Sequence, residues 1–214
     1  MTSKEIAIPI GNSHIHGTLN LVANSKGLVV FAHGSGSSRL SKRNQFVADV
    51  LNDGTISTFL FDLLTPEEDE IDQFTREFRF DIALLAERLI IVTQWLKSNK
   101  DTKHLHLGCF GASTGAAAAL IAAAKLPEYI VTVVSRGGRP DLAGDYLKDV
   151  KAATLLIVGE LDFEVISLNE IPYKQLHCTK ELYIIPDATH LFEEAGTLNE
   201  VAKVALDWFI RYLN

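Results

Sequence analysis

The feature that most constrains this chain is the stretch from Lys103 to Lys125, where an apolar run, a glycine-flanked turn and an alanine-rich run follow one another. The mostly apolar run over 105–110 predicts a short buried strand, and the alanines after Gly115 predict a helix. Glycine two places before and two places after Ser113 suits a turn at which passing backbone leaves no room for a Cβ. The stretch therefore predicts a strand, a strained turn and a helix in immediate succession.

The rest of the chain repeats this alternation of strands and helices. Strands are predicted at 5–10, 14–22, 27–32, 55–61, 130–135, 154–158 and 181–185, and helices near 42–52, 77–98, 141–148, 164–170 and from Thr197 onwards. Continuous apolar runs such as GLVVFA over 27–32 suit strands that are buried on both faces of a parallel sheet. We expect an α/β fold of three layers, αβα, with a mostly parallel doubly wound sheet. A single domain over 1–214 is predicted, with no lid domain.

Two local patterns carry more specific expectations. The acidic segment 62–74 is predicted to be a solvated loop, because charge runs usually face water. Thr197 and Glu200 have the spacing of a capping box, so we expect the last helix to open there.

Composition bounds the class of protein. The chain has 214 residues, 47% of them apolar and 22% charged, which is typical of a globular protein. A net charge of −7 argues against nucleic acid or an anionic membrane as the main partner. No membrane span and no signal peptide is predicted, and two cysteines are too few for a disulfide scaffold, so a cytoplasmic location is expected. No His, Cys and Asp cluster completes a metal site, and we expect neither metal nor cofactor.

The turn at 111–115 has the Gly-x-Ser-x-Gly pattern of the nucleophile elbow. A serine hydroxyl at such a turn needs a base to take its proton and a carboxylate to orient that base. With the chain order serine, acid, histidine, the candidates are Ser113, Asp162 and His190, each of which follows a predicted strand. Since the carboxyl ends of parallel strands share one edge of a sheet, these side chains are expected to converge.

Other acids compete with Asp162. Glu160, Glu164 and Asp187 are rivals, although Glu160 follows its strand too soon and Asp187 lies too close to His190 in sequence. The alternative for His190 itself is an ordinary histidine of a surface loop.

An oxyanion formed during acyl transfer needs two amide donors. The Thr114 amide is one candidate, since it opens the helix after the turn. The second is expected from the glycine-rich loop after 27–32, with Ser35 as the first choice and Gly36 as the second. His33 is expected to hold this loop by side-chain hydrogen bonds.

Two arginines are candidate substrate-binding residues. Arg39 and Arg136 lie in loops predicted at the same sheet edge, where a guanidinium could bind a substrate carboxylate. The alternative is a structural ion pair, with Asp62 or Glu160 among the possible partners.

Taken together, five clusters resemble the α/β-hydrolase superfamily and, within it, the dienelactone-hydrolase-like branch. They are HGSGSSRLSKRN (33–44), GASTGAAAAL (111–120), SRGGRPDLA (135–143), GELDFEVI (159–166) and HLFEE (190–194). The resemblance implies that Ser113, Asp162 and His190 are the nucleophile, acid and base, and that the segment at Gly34 and Ser35 binds the oxyanion. Dienelactone hydrolases proper use cysteine as the nucleophile, so their lactone is not assumed to be the substrate here.

The function expected is that of a cytoplasmic serine hydrolase acting on esters, thioesters or lactones of small to medium acyl groups. Two alternatives remain open inside enzymes, namely acyl transfer to an acceptor other than water and peptide hydrolysis. A third alternative is a ligand-binding module that keeps the fold without catalysis.

Overall fold

The computed structural model describes residues 1–213, and its centre is one eight-stranded sheet. The strands are β1 (Thr2–Ile10), β2 (Ser13–Leu21), β3 (Gly27–Ala32), β4 (Ser57–Phe61), β5 (His106–Ala112), β6 (Ile130–Arg136), β7 (Ala153–Gly159) and β8 (Lys180–Ile185). The helices are α1 (Lys42–Asp53), α2 (Pro66–Thr75), α3 (Ile82–Ser98), α4 (Thr114–Lys125), α5 (Phe163–Gln175) and α6 (Thr197–Leu213), and a 3₁₀ segment spans Pro140–Asp149.

The strand order is β1-β2-β4-β3-β5-β6-β7-β8, and the sheet is antiparallel only where β2 pairs with β1 and with β4. Every residue of β3, β4 and β7 is buried, as expected for strands covered on both faces. One apolar core lies beneath α3 and α4, and a second lies beneath α1 and α6 on the other face. The predicted three-layer αβα fold with a mostly parallel sheet is therefore confirmed.

The helices face the sheet through the stripes that their sequences predict. In α3 the residues Leu85, Leu89, Val92 and Leu96 are buried at spacings of three and four, which places them on one side of the helix. Within residues 1–213, no helix combines the length and the apolar character that crossing a bilayer requires.

The prediction of a solvated loop over 62–74 is wrong for most of that segment. It contains α2, which opens with a capping box in which Thr65 and Glu68 bond to each other's backbone amides. Pro66 occupies the first turn, and acidic residues there are stabilised by the positive end of the helix dipole. Asp72 is 1% exposed, so part of this acidic run is core structure.

The capping box predicted at Thr197 is wrong, although α6 does begin there. The Thr197 hydroxyl donates to the carbonyl of Glu194 at 2.8 Å, and the Glu200 carboxylate accepts from the hydroxyl of Tyr183 at 2.9 Å. Both side chains are thus engaged by partners outside the helix. The helix predicted from 77 begins instead at Ile82, because the preceding segment bonds to Asp72.

Candidate active site

The turn between β5 and α4 is as tight as the glycine spacing indicates. Ser113 has φ 50° and ψ −122°, a conformation that is strained for a residue with a side chain. A Cβ on Gly111 would lie 2.4 Å from the Cα of Ala116, and one on Gly115 would lie 2.3 Å from the carbonyl oxygen of Ala32. The two glycines are therefore required by contact with backbone, not by flexibility.

Backbone hydrogen bonds hold Ser113 against the end of β6. Its amide donates to the carbonyl of Arg136 at 3.2 Å, and its carbonyl accepts from the amide of Arg139 at 3.1 Å. Thr114 is the first residue of α4, so its amide has no helical carbonyl one turn earlier to bond. This leaves a half-buried serine hydroxyl beside the positive end of a helix.

The structure brings His190 and Asp162 together. Nδ1 of His190 lies 2.6 Å from Oδ2 of Asp162, whose side chain is 12% exposed, compared with 40% for the histidine. Because a carboxylate accepts, Nδ1 carries the proton and Nε2 is the free ring nitrogen.

His190 and Ser113 adjoin the same turn at the end of β6. The Ser113 amide donates to the carbonyl of Arg136, and Gly137 is the next residue. A Cβ on Gly137 would lie 3.5 Å from Cε1 of His190. Within residues 1–213 no hydrogen bond joins the Ser113 hydroxyl to Nε2 of His190. In free enzymes such contacts are often long and tighten when substrate binds.

Two of the rival acids are joined by a hydrogen bond between the side chain of one and the backbone of the other. The Glu160 carboxylate accepts from the amide of Asp187 at 3.0 Å, at the turn that follows β8. Asp187 itself has a positive φ of 56° and contributes to the turn before His190. Neither carboxylate bonds to the imidazole in the described chain, whereas Asp162 does.

The loop after β3 packs on Ser113. A Cβ on Gly34 would lie 3.1 Å from the Cβ of Ser113, so this loop adjoins the hydroxyl closely. The Ser35 hydroxyl donates to the carbonyl of Arg79 at 3.0 Å and accepts from the hydroxyl of Thr114 at 2.9 Å. Gly36 follows with φ 69°, a left-handed turn that favours glycine. The loop is thereby tied to the first residue of α4, which brings all three oxyanion candidates to one place.

His33 holds this loop, as the sequence predicts. Its Nε2 accepts from the amide of Leu63 at 3.0 Å, so Nδ1 carries the proton and donates to the carbonyl of Gly34 at 2.9 Å. Burial of the ring lowers the pKa of His33, although the nearby carbonyl and carboxylates raise it in part. The neutral imidazole is thus the form that fits the fold.

Arg39 forms the ion pair that was the alternative to substrate binding. Its Nη1 donates to Oδ2 of Asp62 at 2.7 Å, and its amide donates to Oδ1 of the same carboxylate at 2.8 Å. A longer contact of 3.4 Å reaches Glu5. The guanidinium is therefore already neutralised by carboxylates of the chain.

Arg136 differs, because no carboxylate of the described chain bonds to it. The side chain is 8% exposed, and its Nη2 donates to Oδ1 of Asn44 at 3.4 Å. Nε and Nη1 are buried without a hydrogen-bond partner within residues 1–213.

Sequence reasoning missed the contribution of Asp72 and Arg79. The buried Asp72 carboxylate accepts from Nε of Arg79 and from the amides of Phe78 and Arg79. Burial would raise the pKa of Asp72, but these donors more than offset it and hold the pKa below its usual value. The carbonyl of Arg79 then receives the Ser35 hydroxyl, which links α2 to the oxyanion candidates. The pattern of Thr65 and Glu68 was the signal that could have revealed this helix.

A cavity of about 480 Å³ lies beside the loop after β3. Residues that line it include Gly34, Ser35, Gly36, Arg39, Asp62 and Arg79. Ser113 and His190 are not among the lining residues, so the loop lies between the cavity and the serine.

Cys109 cannot replace Ser113 as a nucleophile. It lies within β5, is fully buried, and burial raises the pKa of its thiol to about 12. Across residues 1–213, no group of three His, Cys, Asp or Glu side chains could hold a metal ion.

Comparison with known proteins gives a structural relative that is more than half identical to this chain. A dienelactone hydrolase from Anabaena variabilis is 54% identical, and the match covers 100% of this chain and 99% of that one with a TM-score of 0.98. No family model matches the chain.

More distant structures share the fold alone. An esterase of Pyrococcus furiosus is 17% identical with a TM-score of 0.80, covering 100% of this chain and 92% of its own. A dienelactone hydrolase-like promiscuous phosphotriesterase from metagenomic libraries is 14% identical with a TM-score of 0.81, covering 100% and 99%.

Two curated relatives are considerably longer than this chain. They come from the CDC 1551 and H37Rv strains of Mycobacterium tuberculosis, and their provisional name is phosphoribosyl transferase. Each is 52% identical over 213 residues, which is 100% of this chain and 47% of the relative. The chain thus spans about half the length of the curated relatives it matches.

Proposed function

The chain belongs to the dienelactone hydrolase-like α/β-hydrolases, and on that premise we propose that it is a serine hydrolase. The substrates proposed are esters, thioesters or lactones of small to medium acyl groups. The observation that carries the proposal is the short contact between His190 and Asp162 beside the strained turn that presents Ser113.

In the first half of the proposed reaction, Nε2 of His190 takes the hydroxyl proton of Ser113 while the serine oxygen attacks the substrate carbonyl carbon. The Asp162 carboxylate accepts the hydrogen bond from Nδ1–H throughout and stabilises the imidazolium. The tetrahedral intermediate collapses when His190 gives its proton to the leaving oxygen or sulfur. With an ester or thioester, the products of this half are a free alcohol or thiol and an acyl group on Ser113. With a lactone, the new hydroxyl remains part of the acyl group.

The second half repeats the sequence with water. His190 takes a proton from water, the resulting hydroxide attacks the acyl carbon, and the proton returns to the Ser113 oxygen as the acid leaves. Atoms and charge balance in both halves without metal or cofactor.

The negative charge on the intermediate is proposed to be bound by backbone amides. The amide of Thr114 and that of Ser35 are the preferred donors, with Gly36 as the second choice in the loop. Support comes from the side-chain contact between Ser35 and Thr114, which ties the two backbone segments together.

Phosphoribosyl transfer is not proposed for this chain. The name describes relatives of which the match covers 47%, so more than half of their length lies outside the segment compared. The residues at the turn of Ser113 favour acyl chemistry in the matched segment.

A fluorophosphonate probe tests the nucleophile. We expect it to label the protein and a Ser167→Ala variant, which removes an exposed serine of α5, but not Ser113→Ala. Hydrolysis of short p-nitrophenyl esters should fall by about 10⁴-fold or more in Ser113→Ala. Labelling that survives this substitution would exclude the proposed role of Ser113.

The same experiment separates the alternatives. Wild-type turnover no greater than that of Ser113→Ala, with ligand binding retained, would favour a binding module over an enzyme. Labelling with turnover only in the presence of an alcohol or amine acceptor would favour an acyltransferase, and cleavage of amides in preference to esters would favour a peptidase.

A further inference from the structure

Arg136 is a buried cation to which no carboxylate of the described chain bonds. Its side chain is 8% exposed, and the amide oxygen of Asn44 is the acceptor it reaches, at 3.4 Å. Nε and Nη1 are buried and unpartnered within residues 1–213. Burial and, to a smaller extent, the charge of Arg43 lower the pKa of the Arg136 guanidinium to about 10. An unpaired buried charge is unfavourable, so this position is explained better by a ligand than by stability.

Arg43 adds a second positive charge beside Arg136. It lies in the first turn of α1, and its Nε is also buried without a partner in the described chain. Its Nη1 donates to Oε1 of Glu193 at 2.9 Å, but that carboxylate is 64% exposed. An exposed pair of this kind contributes little and is readily exchanged.

The N-terminus of α1 is the third positive feature at this place. The helix has 12 residues and carries no acidic residue in its first turn, where Asn44 receives the Arg136 guanidinium. The Ser41 side chain caps the Asn44 amide at 3.4 Å, and the remaining first-turn amides and the helix dipole favour an anion. Two guanidinium groups and a helix N-terminus therefore lie together, and within residues 1–213 the one carboxylate bonded to either guanidinium is that of Glu193, on Arg43.

We propose that Arg136, Arg43 and the first turn of α1 form a subsite for an oxyanion with two negative charges, such as a phosphoryl group carried by the substrate. The proposal rests on the proposed function, because the backbone of Arg136 also bonds to the amide of Ser113. Gly137, the next residue, adjoins the ring of His190. The subsite thus lies beside the residues proposed for catalysis.

Access to the subsite is through the surface pair of Arg43 and Glu193. The incoming oxyanion replaces the Glu193 carboxylate on Arg43 and approaches the unpartnered donors of Arg136. Glu193 lies three residues after His190 in the same loop, so this exchange also touches the segment that carries the proposed base.

Binding is tested first without catalysis, on the Ser113→Ala variant. Inorganic phosphate at roughly ten times its dissociation constant, at fixed ionic strength and pH 7.5, should raise the melting temperature by about 3–5 °C. Adding Arg136→Met should abolish this rise, whereas the control Arg76→Met, an exposed arginine at the end of α2, should retain it. A rise that persists in Arg136→Met, or is absent in the parent, would overturn the subsite.

A second variant, Glu193→Gln, is expected to strengthen phosphate binding, whereas Arg136→Met is expected to abolish it. Because it removes the competing carboxylate, phosphate should bind about 2–5-fold more tightly than to the parent. Binding that is unchanged or weaker would contradict the exchange at Arg43.

The substrate itself is tested with matched esters in the otherwise wild-type protein. The p-nitrophenyl ester of 3-phosphonopropanoic acid should be preferred over p-nitrophenyl butyrate, and Arg136→Met should reduce that preference by about 10–100-fold. The monoester of succinic acid reports whether a carboxylate suffices. Phosphate binding without any preference for the charged esters would overturn the substrate role. If the wild-type protein binds phosphate but hydrolyses none of the esters, the result would instead count against the proposed function.

Discussion

Two groups of residues adjoin Ser113 and balance their charges differently. On what we call the Asp72 side, the loop 33–40 packs against the segment 62–81, and its arginines are paired with carboxylates. On the Arg136 side, the turn 136–139 meets the first turn of α1 and the loop 190–194, and the buried guanidinium has only an amide oxygen.

The difference indicates different tasks for the two sides. Arginines that are neutralised by carboxylates of the chain hold a backbone in position, which suits the loop proposed to bind an oxyanion. Unsatisfied buried donors do not add stability, and they are explained by a ligand that completes them. The proposal thus assigns a structural role to the Asp72 side and a binding role to the Arg136 side, and four substitutions test this separation.

The largest effect is expected for Asp72→Asn on the Asp72 side. Loss of the carboxylate leaves the Arg79 guanidinium and the surrounding amides without their charged acceptor, so the free energy of unfolding should fall by about 3 kcal/mol. Urea unfolding measures it. Asp69→Asn, an exposed acid of the same helix, should change the value by no more than about 0.5 kcal/mol. Equal effects of the two substitutions would remove the contrast between paired and solvated acids.

On the Arg136 side, we expect the substitution to increase the free energy of unfolding instead of lowering it. In buffer free of phosphate and sulfate, Arg136→Met should raise the free energy of unfolding by about 1–2 kcal/mol, because an uncompensated buried charge is replaced by an apolar side chain. The same urea titration measures the change. A destabilised variant would assign Arg136 a structural role through Asn44.

A smaller effect is expected from pH on the Asp72 side, through His33. The pKa of His33 in the folded chain lies below its ordinary value of 6.5, so as pH falls this residue is protonated in the unfolded chain before it is in the folded chain. The stability that His33 contributes is therefore present above pH 6.5 and is lost progressively as pH falls below it. His33→Gln should flatten this part of the urea-derived profile. The contribution of Asp72 is lost only at lower pH, below the unfolded carboxyl value of 3.8. An unchanged profile would show that His33 does not titrate on unfolding.

The smallest effect is expected for Arg39→Met. The pair with Asp62 is about a quarter exposed on both sides, so its loss should cost about 0.5 kcal/mol. Steady-state kinetics on neutral and phosphonate esters should remain close to wild type. A selective loss on the charged ester would instead return Arg39 to the substrate-binding role that its sequence position suggests.

The sequence predicts well where a short segment decides its own structure. Gly111 and Gly115 are dictated by backbone within a few residues or in the neighbouring strand, and the apolar stripe of α3 records which side faces the sheet. The fold class follows from the same local signals repeated along the chain.

Local patterns mislead where a distant partner competes for the same group. Thr65 and Thr197 each precede a glutamate by three residues, yet the first forms a capping box and the second does not. The difference is that Glu200 is bound by Tyr183, a residue of β8. Pro66 is a local helix-start signal that the second segment lacks, but the capture of Glu200 by β8 is not visible in its four residues.

By itself the sequence determined the strained turn at Ser113, the alternation of strands and helices, and the order of serine, acid and histidine along the chain. Only the tertiary structure decided that Asp62 neutralises Arg39, that Asp72 is buried with Arg79, and that Arg136 is left with Asn44. The physical reason is the distance along the chain over which each interaction acts. Steric exclusion acts between atoms a few residues apart, whereas the energy of a charge depends on its burial and on partners that the fold brings from far along the chain.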